Sequence, residues 1–120
     1  MTIIAAHSII YAEDAERVRA FVRDVLGFNH VDAGGGWLIF KLPPAELGVH
    51  PIEPSESGRH ELYLMCDDIE ATLAELKAKG VEVSSEVVNA GFGLVARIKV
   101  PGGGDIGIYQ PRHPMAVDLP

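Results

Sequence analysis

The chain has 120 residues, 48% hydrophobic and 22% charged, which suits one globular domain with a single modest core. Its formal net charge of −7, with no cluster of Lys or Arg, argues against nucleic acid and anionic membranes as partners, since both are bound through basic patches. No apolar run approaches the roughly 18 residues of a membrane span, and the single cysteine, Cys66, rules out an intrachain disulfide and points to the cytoplasm.

The opening MTIIAAHSII lacks a basic leading segment and is interrupted by His7, so it reads as a strand rather than a signal peptide. That strand runs from Ile3 to Tyr11, with Ile3, Ala5, His7, Ile9 and Tyr11 on one face. Asp14 is the expected N-cap of a helix in which Val18, Phe21, Val22, Val25 and Leu26 form a buried stripe. Gly27 suits the left-handed residue that ends it. Arg17, Arg19 and Arg23 lie among acidic neighbours and read as a solvated helix face. Phe28 to Val31 is a short strand, Gly34-Gly35-Gly36 a hairpin turn, and Trp37 to Leu42 the returning strand. The triple glycine is not followed by Gly-Lys-Ser/Thr or by a helix, which argues against a phosphate loop. Pro43-Pro44 breaks the ladder, and Glu46 to His50 is the fourth strand, giving β-α-β-β-β.

The second half repeats this order. His7, Asp14 and Gly27 recur as His60, Asp67 and Gly80 at a constant offset of 53 residues. Lys41-Leu42-Pro43 recurs as Lys99-Val100-Pro101, and Glu46 to His50 as Asp105 to Tyr109. The chain thus divides into repeat 1 (3–51), a Pro- and Ser-rich linker (52–58), repeat 2 (59–111) and an irregular tail (112–120), all within a single domain spanning 1–120. In repeat 2, Glu61 to Cys66 is a strand. Asp67 caps a helix, with Glu70 completing a capping box and Ile69, Leu73 and Leu76 buried. Val81 to Val83 (extending toward Val88), Leu94 to Val100 and Ile106 to Gln110 are the remaining strands.

Tandem βαβββ units with a His on each first strand resemble the vicinal oxygen chelate superfamily of glyoxalase I, bleomycin-resistance proteins and extradiol dioxygenases. AHSIIYAEDAERVRAFVRDVLGF and HELYLMCDDIEATLAELKAKGVEV are similar to its two opening segments. PGGGDIGIYQP sits at its final hairpin and strand, so the likeness covers residues 3–111. The resemblance implies an α+β fold in which the sheets form a half-open β-barrel cup, commonly in a homodimer. It also implies a small-molecule ligand or substrate and metal ligands on the first and fourth strands. Carried over, the first-strand positions are His7 and His60, but the fourth-strand positions fall on Gly48 and Gly107, which have no ligand atom.

Two readings follow. In the first, His7 and His60 hold one divalent metal (Fe, Mn, Ni or Zn) with His50 as substitute third ligand. The protein is then a metal-dependent lyase or dioxygenase of glyoxalase-like type. Glu46 and Tyr109, two residues or about 7 Å along their strands from the glycines, are the weak catalytic candidates, and Asp105 flanks Gly107 likewise. In the second, no metal is present and the protein sequesters a small molecule in the manner of bleomycin-resistance proteins. Trp37, Phe40, His50, Phe92 and Tyr109 then contact the ligand, and the glycines open room for it. The bland alternative makes the histidines hydrogen-bonded structural groups and Trp37, Phe40, Tyr63, Met65 and Phe92 core or cup wall. Nucleophilic catalysis is not supported. Arg59-His60-Glu61 and Arg112-His113 have no nucleophile to serve, Cys66 lacks a matched base, and no Ser sits on a nucleophile elbow.

Overall fold

A computed structural model describes residues 7–49, 51 and 53–120. Helix α1 (Ala15–Phe21) begins at Asp14, whose carboxylate accepts a hydrogen bond from the Arg17 N–H, and continues as a π-helical turn, Val22–Leu26. Gly27 closes it with φ +71°, the left-handed geometry that releases the chain into the next element. A short antiparallel hairpin follows, β1 (His30–Asp32) and β2 (Leu38–Phe40), turning through the triple glycine.

The second half is more complete. Strand β3 (Tyr63–Met65) leads into α2 (Ile69–Ala78), and β4 (Val83–Asn89), β5 (Gly93–Lys99) and β6 (Asp105–Pro111) return as a meander. The sheet order is β3-β6-β5-β4; β3 runs parallel to β6 and the other pairs are antiparallel. A β-strand, a helix and a meander returning to the first strand explain this order. The helix crosses one face, and β6 fills the slot between β3 and β5.

Alternation along the strands decides what faces the helices. Ala96, Ile98 and Val100 of the β5 region and Ile106 and Ile108 of β6 are buried with Ile69, Leu73 and Leu76 of α2 and with Val18 and Phe21 of α1. Burying Ile69 and Ile98 fully stabilises the fold by about 1.5–3 kcal/mol each. The α2 stripe is the expected one, but its cap is not. Asp68, not Asp67, is the N-cap, accepting from the Ala71 N–H at 3.1 Å. This register puts Glu70 one position short of the capping-box site, and the Ile69 N–H is satisfied instead by Gln110 Oε1 at 2.9 Å. The helix is thereby fastened to the end of β6.

The first half departs from expectation at its two outer strands. Residues 7–11 and 41–49 make no ladder, and Leu47 and Val49 are 91% and 93% exposed. Pro43 and Pro44 offer no N–H to a neighbour, and the segment after them pairs with no strand among the described residues. Residues 3–6 of the expected first strand and His50 at the end of the fourth lie outside the described residues. The linker contains one 3-10 turn, Pro54–Glu56, and the tail another, Ala116–Asp118. No helix among the described residues is long and apolar enough to cross a membrane.

Candidate ligand-binding face

The sheet face turned away from α2 carries a second set of side chains, in which Tyr109 is buried at 8% exposure while Tyr63 and Phe92 are partly exposed. Tyr63 on β3, Gly107 on β6 and Arg97 on β5 are register partners and form one row. Met65, Tyr109 and Val95 form the next. Both rows contain an aromatic ring laid over a glycine. A Cβ added to Gly107 would overlap Cδ1 and Cε1 of Tyr63, and one added to Gly93 would overlap Cε2 of Tyr109. Each glycine is therefore the seat of a phenol ring.

Tyr109 is the centre of an aromatic group. Its ring centroid lies 6.1 Å from Tyr63 and 5.6 Å from Phe92, both edge-to-face, and 5.7 Å from His113 at a shallower 35° tilt. Its hydroxyl donates to the Phe92 carbonyl at 3.4 Å. Burial raises the Tyr109 phenol above its ordinary pKa, and the nearby Glu46 charge adds to this. The Tyr63 phenol is raised too, by burial and then by its hydrogen bond to Glu61. Both therefore stay protonated near neutral pH and act as apolar surface with a donor tip, not as phenolate bases or metal ligands.

Polar groups flank the rings. The Tyr63 hydroxyl donates to Glu61 Oε2 at 2.7 Å, and Arg59 Nη1 donates to Glu61 Oε1 at 2.7 Å. Arg97 reaches the Asp105 carbonyl at 3.3 Å, and Asp105 itself accepts from the Ser84 hydroxyl at 2.9 Å. At the other end, Glu46 meets the tail: Oε2 accepts from the Ala116 N–H at 2.8 Å, and Oε1 lies 3.6 Å from His113 Nε2, outside hydrogen-bond distance. His113 Nδ1 contacts the Pro114 carbonyl at 2.7 Å; a carbonyl only accepts, so Nδ1 carries the proton. Glu46 thus ties the 41–49 segment to the tail beside Tyr109.

The sites expected from sequence fall into three groups. Phe92 and Tyr109 come together, joined by Tyr63, Glu46 and His113. Trp37 is 53% exposed, and Phe40 packs edge-on against His30 in the separate β1–β2 hairpin. His7 and His60 are both exposed, and His50 lies outside the described residues. Among the described residues no three His, Cys, Asp or Glu side chains converge to hold a metal. On Gly107, where the resemblance would place a carboxylate ligand, the Tyr63 ring fills the space. The described donors do not fit a divalent centre, so no reaction step is derived through one.

Arg97 beside the rings was not singled out from sequence, although it alternates with Ala96 and Ile98 in an otherwise apolar strand; Glu61 and His113 were weighed only as partners of a nucleophile, and their place beside Tyr63 and Tyr109 left no periodicity to read. Two clefts are present, and the smaller adjoins the Tyr109 row at Met65. One of about 580 Å³ lies between α1 and the β5–β6 turn, lined by Arg17, Phe21, Val81, Lys99 and Gly102 among others. Another, of about 400 Å³, is lined by Met65, Cys66, Gln110 and Met115 beside the tail. Neither contains the seated rings, and the larger has a charged rim in which Lys99 already faces Glu82 at 3.6 Å.

The chain belongs to the Glyoxalase/Bleomycin resistance protein/Dioxygenase superfamily, whose model matches residues 4–107. Its fold is shared with TnmS3, an antibiotic binding protein from Streptomyces sp. CB03234, at 26% identity and TM-score 0.65, covering 92% of this chain and 99% of that one. A glyoxalase/bleomycin resistance protein from the same Streptomyces is 28% identical with TM-score 0.57, covering 84% and 95%. Lactoylglutathione lyase from Agrobacterium tumefaciens, at 17% identity and TM-score 0.62 over 89% and 92%, shares the fold. No curated protein matches the sequence.

Proposed function

We propose that this protein binds a small aromatic molecule on the Tyr63–Tyr109–Phe92 face without a resident metal, acting by sequestration. One observation carries the reading: the Tyr63 ring is seated on Gly107, where a metal-dependent relative would need a ligand atom, and so converts that position into aromatic wall. The likeness to TnmS3, described as an antibiotic binding protein, supports the same class of function. Phe92 and Tyr109 are assigned to ligand contact, with Tyr63 added to them.

The 91% and 93% exposure of Leu47 and Val49, and 88% of Tyr11, supports a homodimer in which a second chain covers the unladdered strands of the first half. A solution mass of twice 12.9 kDa is the expected result. We place the protein in the cytoplasm, in keeping with its lone cysteine.

The function is tested by titrating the protein with N-phenyl-1-naphthylamine, a neutral aromatic probe, and following its fluorescence. Saturable binding that Tyr109→Leu weakens about ten-fold or more is expected. Metal analysis after loading with Fe(II), Mn(II), Ni(II) and Zn(II) is run beside it. Stoichiometric metal that is lost in His60→Ala would overturn the metal-free reading.

A further inference from the structure

We propose that Arg97 makes the aromatic face selective for planar aromatic molecules that carry an anionic oxygen substituent, such as a carboxylate, sulfonate or phenolate. The assignment rests on the ligand-binding reading of that face and deepens it. Arg97 stands in the Tyr63–Gly107 row, directly opposite the glycine that seats the Tyr63 ring, so its guanidinium borders the edge of that ring. A guanidinium has five N–H donors, and this one uses only part of them: it lies 3.3 Å from the Asp105 carbonyl, 4.0 Å from Glu61 Oε2 and beside the Tyr63 hydroxyl. Glu61 gives its short bonds, both 2.7 Å, to Arg59 and to the Tyr63 hydroxyl. The other charges nearby are engaged already. Lys99, next on the same face of β5, has Glu82, and the Asp105 carboxylate has Ser84.

Arg97 therefore holds an under-compensated positive charge on a side chain only 32% exposed. Reduced contact with water strengthens a charge-assisted hydrogen bond there, and the planar fork suits a two-oxygen anion. The Tyr109 row begins two residues along β5, about 7 Å away. An aromatic system of two or three fused rings spans that distance, placing its ring body against the exposed surfaces of Phe92 and Tyr63, which cover Tyr109, while its anionic group meets Arg97. A neutral ligand of the same shape would leave the guanidinium as it is, so discrimination comes from the anion alone.

The test compares two probes with one ring system: 8-anilinonaphthalene-1-sulfonate and N-phenyl-1-naphthylamine, which lacks the sulfonate. The wild-type protein is expected to bind the sulfonate about ten-fold more tightly. Arg97→Met should erase that preference by weakening the sulfonate about ten-fold more than the neutral probe, and Arg97→Lys should keep part of it. Circular dichroism melts of both variants confirm that they are folded. Equal binding of the two probes by the wild type, or a preference that survives Arg97→Met, overturns the role of Arg97 and leaves the aromatic face standing. If neither probe binds, both readings fall.

Discussion

Replacing Gly107 by Ala tests the seat of the Tyr63 ring directly. The backbone at Gly107 is not in the left-handed region, so alanine meets no conformational strain there, and strand propensity alone would favour the change. The penalty comes from the added methyl, which would overlap Cδ1, Cε1 and Cγ of Tyr63 and must push the ring off the strand. Displacement forfeits the hydrogen bond to Glu61, worth about 1.5–3 kcal/mol for a charged acceptor. It also loses the edge contact with Tyr109, about 0.5–1.5 kcal/mol. Tyr63 is partly exposed, which places the hydrogen bond at the low end of its range. The sum is roughly 2–3 kcal/mol, or about 8–12 °C in melting temperature for a domain of this size. Thermal melts followed by circular dichroism measure it. The double variant Gly107→Ala/Tyr63→Ala should be more stable than the two single losses added together, by about 1–2 kcal/mol. A Gly107→Ala protein that melts within about 1–2 °C of wild type (under about 0.5 kcal/mol), with additive double-mutant energies, would refute the seating argument.

Three further outcomes are expected. Asp68→Ala should lower stability by about 1 kcal/mol through loss of the α2 cap, whereas Asp67→Ala should change it little; equal effects in chemical denaturation would contradict the cap assignment. The phenols of Tyr63 and Tyr109 are raised above their ordinary value of 10.0, so the neutral forms stabilise the fold. That contribution is fully present below pH 10 and is lost as pH rises through the higher folded values; ¹³C-tyrosine NMR showing either phenol ionising below 10 would contradict it. The Cys66 thiol is pushed up by burial, so it should react with a disulfide reagent at pH 8 more slowly than free cysteine, and faster reaction would place it in another environment.

How much was legible in sequence differs between the halves. Where an element buries one face, periodicity revealed it: the stripe Ile69, Leu73, Leu76 and the alternation through Leu94 to Ile108 match the observed core. Strand extents were less legible, since β4 runs through Ser84, Ser85 and Glu86, polar residues held by two register shifts against β5. The 41–49 segment has strand propensity but no partner within the described chain, and pairing is decided by the neighbour rather than by the residues themselves. The capping box pointed to Asp67, whereas Asp68 caps α2, and the Ile69 N–H that follows it is satisfied by Gln110, 41 residues away along the chain. At the site, Gly107 was visible as a departure from the family pattern. Its occupant was not, because Tyr63 reaches it only through the parallel pairing of β3 with β6.

The most direct test of the metal-free aromatic face is a ¹H–¹⁵N NMR titration with N-phenyl-1-naphthylamine. The account predicts saturable shifts concentrated at Gly93, Arg97, Gly107 and Tyr109, unchanged by chelator. Shifts centred instead on Val81, Lys99 and Gly102, around the 580 Å³ cleft, or shifts that appear only after a divalent metal is added, would contradict it.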